Sequence, residues 1–567
     1  MSNHVCRRLI LFLDGTWNED TESGAATNVV QLRERLLWGL NARLRKRLPN
    51  DVREYNQLPV SFRKKGVSGL VFDGFEYIVF YDRGVGTGAL LDPIKGGMFG
   101  QGLDAKIREA YRFLSTWYRP GDEIFVFGFS RGAFTARSLC GYLQAIGLLR
   151  CECCTAENEQ RAWDYYRTPP GERQSGEWSW FHMPPNGEPL VHDSAYMRVR
   201  ALGVFDTVGA LGVPAEGFRR LNRSKYEFHD TDVNALVDIR LHAVAIDEPR
   251  HAFAPSMWTR PKFKRTIDKN SPTEQVWFAG AHSDVGGGYV NWSQQESGLS
   301  YLPMAWMIQR LQKLIVETPP IADPAHPPHI KPKVKPDRNA PLPFYFRNLL
   351  SEEDGSILQK LRDYYIETQH KPWATLYTVY PRNHRAINQL PLPNEPPAEA
   401  SGRVPFGDPI NEWIHISALQ RLNQIVATDR GKFLNFISAK GPYRPHNLIG
   451  VIPYLAASYI RNARQRNAWH DIGIVPLVTW KETRLVDWDG EVFDPEDDKD
   501  IAAVFKLLPM PEAIGLTAQP AEMEFIRDPR PWQAPVAMAM AAKVQAPAKA
   551  KPQIPTPTRK KNARVSR

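Results

Sequence analysis

Ile124-Phe125-Val126-Phe127-Gly128-Phe129-Ser130-Arg131-Gly132-Ala133-Phe134-Thr135-Ala136-Arg137 is the stretch whose reading decides the fold. Ile124–Phe127 is a short apolar run of β-branched and aromatic residues, the pattern of a buried strand. A helical pattern opens at Ala133, so strand and helix are joined by almost nothing. Gly128 and Gly132 flank the serine at two-residue distance, and their missing side chains let the chain turn tightly enough to hold the Ser130 hydroxyl exposed. The helix N-terminus brings its positive dipole end beside that hydroxyl. A Gly-x-Ser-x-Gly match alone is weak, but between a strand and a helix it marks a nucleophilic serine.

Outward from this point the same alternation repeats. Leu9–Leu13, Tyr77–Tyr81, Val199–Phe205, Leu241–Ile246 and Gln275–Phe278 read as further strands, whereas Asp104–Trp117, Arg131–Ile146 and Leu302–Ile315 carry helical spacing. Mostly apolar strands separated by helices predict an α/β fold of the α/β-hydrolase type, a mostly parallel sheet with helices on both faces. Residues 1–317 are taken as the catalytic core. Prolines crowd 318–409, from Pro319-Pro320 to Pro396-Pro397, and cannot continue helices or central strands. That segment is expected to be an insertion, a cap or lid, with 410–517 returning to the core. Residues 518–567 drift to Pro, Ala and Lys and read as a disordered tail.

The chain has 567 residues and a net charge of +10, yet nine positive charges follow Asp528 without an acid, which leaves +1 for residues 1–528. A nearly neutral body carries no footprint for nucleic acid, and no nucleic-acid partner is expected. The tail's charges suit an anionic bilayer, so peripheral membrane contact is expected of it. Five cysteines, three of them at Cys151, Cys153 and Cys154, make no disulfide framework and point to synthesis in a reducing cytoplasm. Arg7 and Arg8 precede an apolar run, but Leu9–Leu13 is too short for a signal-peptide core, and nowhere do some 18 apolar residues run uninterrupted. Any export would have to use a non-classical system.

A nucleophilic serine needs a base and an orienting carboxylate, in the chain order serine, acid, histidine. Trp277–Tyr289 runs an aromatic strand into the polar, glycine-rich loop Gly280-Ala281-His282-Ser283-Asp284, the kind of loop that carries catalytic groups at a strand's carboxyl end. Asp284 with His415, at the head of the apolar pattern Ile416-Ser417-Ala418-Leu419, gives the expected triad with Ser130. His282 with Asp206, from Phe205-Asp206-Thr207-Val208-Gly209, satisfies the same order, and the sequence barely separates the two pairs. Asp14-Gly15-Thr16-Trp17-Asn18 opens the chain like the D-x-D-G-T nucleophile loop of aspartyl phosphatases, but Phe12 stands where their nucleophile would be. Its expected use is an oxyanion hole, with Gly15 and Thr16 supporting the Arg131 amide. Asp14, Asp206, His282 and Asp284 are metal-donor types at a spacing that matches no defined metal loop, so neither metal nor other cofactor is expected.

Taken together, Asp14–Asn18, Gly84-Val85-Gly86-Thr87-Gly88, Gly128–Ala133, Phe205–Gly209 and Gly280–Tyr289 resemble one family over roughly residues 5–425: the type VI secretion phospholipase effector-like catalytic domains, α/β-hydrolases long carried as uncharacterised. The resemblance implies hydrolysis of phospholipid acyl esters by a Ser-Asp-His triad, with Ser130 matching the nucleophile, Asp284 the acid, and His415 the histidine of a later His-x-Ser motif. It also implies a secretion-machinery or immunity-protein partner. A soluble-ester hydrolase and a non-catalytic interaction protein on the same scaffold are the alternatives.

Overall fold

The first strand, β1 (Cys6–Leu13), shows how the core is divided. Leu9, Leu11 and Leu13 enter one apolar cluster while Ile10 and Phe12 enter another, because successive side chains of a strand point to opposite faces. A sheet so loaded must be covered on both sides. The computed structural model describes residues 6–15, 26–34, 36, 67–72, 75–84, 96–184, 187–193, 196–209, 236–250, 253–258, 272–289, 298–318, 364–366, 369–370, 385, 387, 411–422, 424–429, 439–459, 484–488, 490–495 and 497–508. The expected tail and most of the expected cap lie outside these residues.

Along the chain follow β2 (Val67–Phe72), β3 (Phe75–Asp82), β4 (Glu123–Phe129), β5 (Val199–Phe205), β6 (Val237–Ala245), β7 (Thr273–Phe278), β8 (Gln369–His370), β9 (Glu412–His415), β10 (Ile425–Asp429), β11 (Ala439–Pro442) and β12 (Arg484–Val486). Nine of them form one sheet in the order β12-β9-β7-β6-β5-β4-β1-β3-β2, in which β2 alone is antiparallel to its neighbour. The remaining three make a small separate sheet. The fold is α/β with a mostly parallel sheet, as the alternating pattern predicted. Strands β2, β9 and β12 escape a periodicity reading: β9 and β12 are too short to show an alternation.

The helices include α1 (Gly96–Trp117), α2 (Arg131–Ile146), α3 (Ala156–Arg167), α4 (Ser175–His182), α5 (His282–Gly286), α6 (Tyr301–Glu317), α7 (Ile416–Arg421), α8 (His446–Tyr459) and α9 (Asp498–Leu507). On one face α6 lays Leu302, Trp306, Met307 and Leu311 against Ile10, Phe127 and Phe205. On the other, α1 and α2 bury Ile107, Tyr111, Leu114, Leu139 and Leu143 against Leu9, Val126 and Val204. That face continues along the sheet, where Val244, Trp277 and Ile414 stand in register and are covered by α8 and α9. Burying a large aliphatic or aromatic side chain contributes about 1.5–3 kcal/mol, so these layers, and not the single turns, hold the sheet rigid.

The chain leaves β1 toward β3 on one side and resumes with β4 on the other, so the strand order reverses between β1 and β4. In open α/β sheets the crevice beyond the carboxyl ends at such a reversal is where ligands bind. The loops after β1 and β4 meet there.

Candidate active site

Ser130 lies between β4 and α2 with φ 57° and ψ −120°, a conformation that L residues occupy only under strain. Its neighbours impose the turn. A Cβ on Gly132 would stand 2.1 Å from the carbonyl oxygen of Leu13, and one on Gly128 would meet the Ala133 Cα at 2.7 Å, so both glycines are required by contact with β1 and with the turn itself. The Ser130 N–H donates to the Phe205 carbonyl at 3.1 Å, which ties the turn to the end of β5. The serine is thus held at the switch point by both neighbouring strands.

His282 completes the pair. Its Nε2 lies 2.8 Å from the Ser130 Oγ, and its Nδ1 lies 2.6 Å from an Asp206 carboxylate oxygen. An ionised carboxylate fixes the ring proton on Nδ1 and leaves Nε2 as the acceptor for the serine hydroxyl. Burial would raise the Asp206 carboxyl, but the Arg385 guanidinium and His282 outweigh it and hold it well below the usual carboxylate range. Burial also lowers the His282 pKa, against the pull of Asp206, so the imidazole stays neutral near neutral pH.

The loop after β7 must double back to bring His282 to β4, because β7 is three strands away from it. Phe129 receives that loop: a Cβ on Gly286 would stand 1.9 Å from the Phe129 ring, so only a glycine lets the backbone lie flat against it. The imidazole is held between Phe129, tilted at 4.7 Å, and Phe253, edge-on at 5.0 Å. From behind, Glu248 accepts from the His282 N–H at 3.2 Å and is itself paired with Arg250 through two bonds of 2.6 and 2.8 Å.

The pair Asp284 and His415, favoured from the sequence, is not the one assembled on Ser130. His415 ends β9, four strands from β4, roughly 19 Å away at about 4.8 Å per strand. Its Nδ1 is 2.7 Å from the Ser417 Oγ and accepts from the Ser417 N–H, so it caps α7, while its ring stacks on Phe278 at 4.6 Å. Burial lowers its pKa to about 3. Asp284 is fully buried and accepts from the Ala281 N–H at 2.9 Å, closing the first turn of α5. It therefore supports the loop that presents His282.

The loop after β1 also differs from expectation. Asp14 is buried and gathers the Gly15 N–H at 2.7 Å, the Thr27 hydroxyl at 2.8 Å and the Tyr81 hydroxyl at 3.1 Å. The Gly15 amide is thus turned onto its neighbour's carboxylate and away from an oxyanion role, and Thr16 lies outside the described residues. The Arg131 amide, first of α2, remains at the helix N-terminus beside Ser130. Asp14, Gly132, Thr135, Asp82 and Lys106 line a small cavity next to it. Among the described residues no cluster of three or more His, Cys, Asp or Glu is arranged to hold a metal ion.

Arg385 is the residue that the sequence reading missed. Its two terminal nitrogens reach both Asp206 oxygens, at 2.6 and 2.9 Å, and also donate to the carbonyls of Ala245 and Phe253. It stands inside the proline-rich stretch, 179 residues beyond Asp206, with no motif around it to announce the contact.

Residues 7–310 match the family described as "T6SS, Phospholipase effector Tle1-like, catalytic domain", more than half of the chain. The chain belongs to this Tle1-like family. An uncharacterized protein of Saccharomyces cerevisiae is 30% identical to it over 202 residues, which cover 33% of this chain and 28% of that protein. Among solved structures, that of the Tle1 effector bound to the VgrG spike of the type 6 secretion system is 19% identical, covers 50% of this Tle1-like chain and 51% of its own, and has a TM-score of 0.26. An uncharacterized protein from Pseudomonas aeruginosa is 17% identical over 58% of this chain and 48% of its own, with a TM-score of 0.25. The chain thus spans about half the length of these structures and under a third of the yeast relative.

Proposed function

We propose that the chain is a serine hydrolase of carboxylic esters in which Ser130 is the nucleophile, His282 the general base and Asp206 the orienting acid. The observation that carries this reading is the continuous hydrogen-bonded line from Ser130 Oγ through His282 to Asp206, at 2.8 and 2.6 Å, on a strained turn at the sheet's switch point. Ser130 Oγ attacks the acyl carbonyl while His282 Nε2 takes its proton. The tetrahedral oxyanion is met by the Arg131 N–H and the positive end of α2. As the intermediate collapses, His282 returns the proton to the departing alcohol, which leaves the acyl group on Ser130. A water, deprotonated by His282, then attacks the acyl-enzyme and the fatty acid is released. The family's description as a phospholipase effector domain supports phospholipids, cleaved at their acyl esters, as the substrate class and a secretion-machinery protein as the partner.

The test is turnover of a short soluble ester and of phospholipid vesicles by the wild-type and Ser130→Ala proteins, together with labelling by a fluorophosphonate. Ser130→Ala is expected to lose activity by several orders of magnitude and to take no label, since loss of a triad nucleophile costs on the order of 10⁶ in rate. Activity near wild type in Ser130→Ala ends the serine-hydrolase reading. Cleavage of the soluble ester but not of vesicles leaves the chemistry and removes the lipid substrate.

A further inference from the structure

We propose that Arg385 is a positioning residue of the catalytic assembly, holding Asp206 and Phe253 so that His282 is aimed at Ser130. The proposal rests on the serine-hydrolase reading of the site.

Asp206 is fully buried, and its own backbone is strained, with φ 39°. A carboxylate in that position needs every lone pair occupied, and four hydrogen bonds from three groups do so: His282 and Arg385 on one oxygen, the Ala245 N–H and Arg385 on the other. The guanidinium is the only one of these three groups that touches both oxygens. Its rigid planar fork therefore sets the plane of the carboxylate, and the plane decides where Nδ1 of His282 is held. The same fork donates to Ala245, the last residue of β6, and to Phe253, whose ring meets the imidazole edge-to-face and has Arg250 over it, 3.7 Å from the ring centroid. One side chain thus gathers the acid, the strand beside it and a wall of the base.

Charge makes the same point. The groups facing His282 are Asp206, Glu248, Arg250 and the Ser130 hydroxyl, and Asp206 also faces Arg385 and His242, beyond which Arg137 stands. Opposite Asp206, Arg385 makes a neutral pair, so the carboxylate steadies an imidazolium without holding one permanently. Remove the guanidinium and the uncompensated carboxylate favours the protonated ring. The base would then be lost at a higher pH.

The experiment measures kcat and KM on a soluble ester across the acid and neutral range for wild type, Arg385→Gln and Arg385→Lys. Arg385→Gln is expected to lower kcat about a hundredfold with KM changed only a few-fold, as misplacement of a catalytic group by about 1 Å does. Its acid limb should move up by about one pH unit. Arg385→Lys keeps the charge and loses the fork: the acid limb should return to its wild-type position while kcat stays reduced. A wild-type kcat and acid limb in Arg385→Gln overturn the proposal, as does a wild-type kcat in Arg385→Lys, which carries the test if the glutamine protein does not fold. Fluorophosphonate labelling of the wild-type protein separates this from failure of the larger reading, because an unlabelled, inactive wild type would overturn both.

Discussion

Two histidines end neighbouring parts of the same sheet and differ in everything that matters for chemistry. His282 follows β7 and His415 ends β9, the strand paired to it; both are buried, His282 opens one short helix and His415 caps another, and burial lowers the pKa of both. His415 spends its Nδ1 on Ser417 two residues away and stacks on Phe278, with Trp488 edge-on at 5.4 Å. His282 spends nothing locally. Its two nitrogens are bonded to residues 152 and 76 positions away in the chain, a serine and a carboxylate. The His415 ring bonds to its own neighbour, as a helix cap does, whereas the partners of the His282 ring come from the ends of other strands, the arrangement that the proposed base requires.

Mutation of the two sites should separate them most sharply. His282→Ala is expected to abolish ester turnover, by about 10⁴–10⁶, and Asp206→Asn to cost about 10⁴ by favouring the wrong tautomer. Either change combined with Ser130→Ala should cost little more, because a triad acts as a unit. If His415→Asn is inactive while His282→Ala turns over normally, the roles of the two histidines are reversed.

Asp284 should fall between. Asp284→Ala removes the acceptor for the Ala281 N–H and loosens the turn that presents His282. A loss of tens- to a hundredfold in kcat is expected, through position alone, since small displacements of a base are costly. A loss equal to that of Asp206→Asn would show that Asp284 takes part directly in the chemistry.

The pH profile reads the same contrast. Because burial holds the His282 pKa below its ordinary 6.5, the neutral base persists into mild acid, and the acid limb of kcat/KM should lie below pH 6.5. An acid limb above that value would mean that Asp206 outweighs burial.

The smallest effect belongs to His415. His415→Asn keeps a side chain able to cap α7 but leaves the ring's place empty, so stability should fall by about 1–3 kcal/mol while soluble-ester turnover stays within about threefold. The sign of the pH effect follows from its pKa of about 3: below pH 6.5 the unfolded chain binds a proton that the folded one refuses, so folding weakens as pH falls toward 3. In His415→Asn that slope should flatten, by up to about 1.4 kcal/mol per pH unit, in urea unfolding at several pH values.

Local pattern was enough to make Ser130 legible, together with the sheet that carries it. Ile124–Phe127 and the helix after Gly132 differ in period, and two glycines pressed between them leave room for one kind of turn. The six strands and three helices read from periodicity all stand where apolar alternation or helical spacing is sustained over several residues. The class of fold follows from that alone, since each period dictates which face must be buried. Which acid and which histidine meet the serine was decided elsewhere. Serine, acid and histidine occur in the same order in both candidate sets, and chain order says nothing about which loop folds back across the sheet. That depends on Gly286 lying flat on Phe129, on the strand order that leaves β9 four places from β4, and on Arg385 reaching Asp206 from a proline-rich stretch with no periodicity. These are contacts between distant segments, and their specificity resides in three-dimensional packing and charge pairing, which a one-dimensional spacing does not encode.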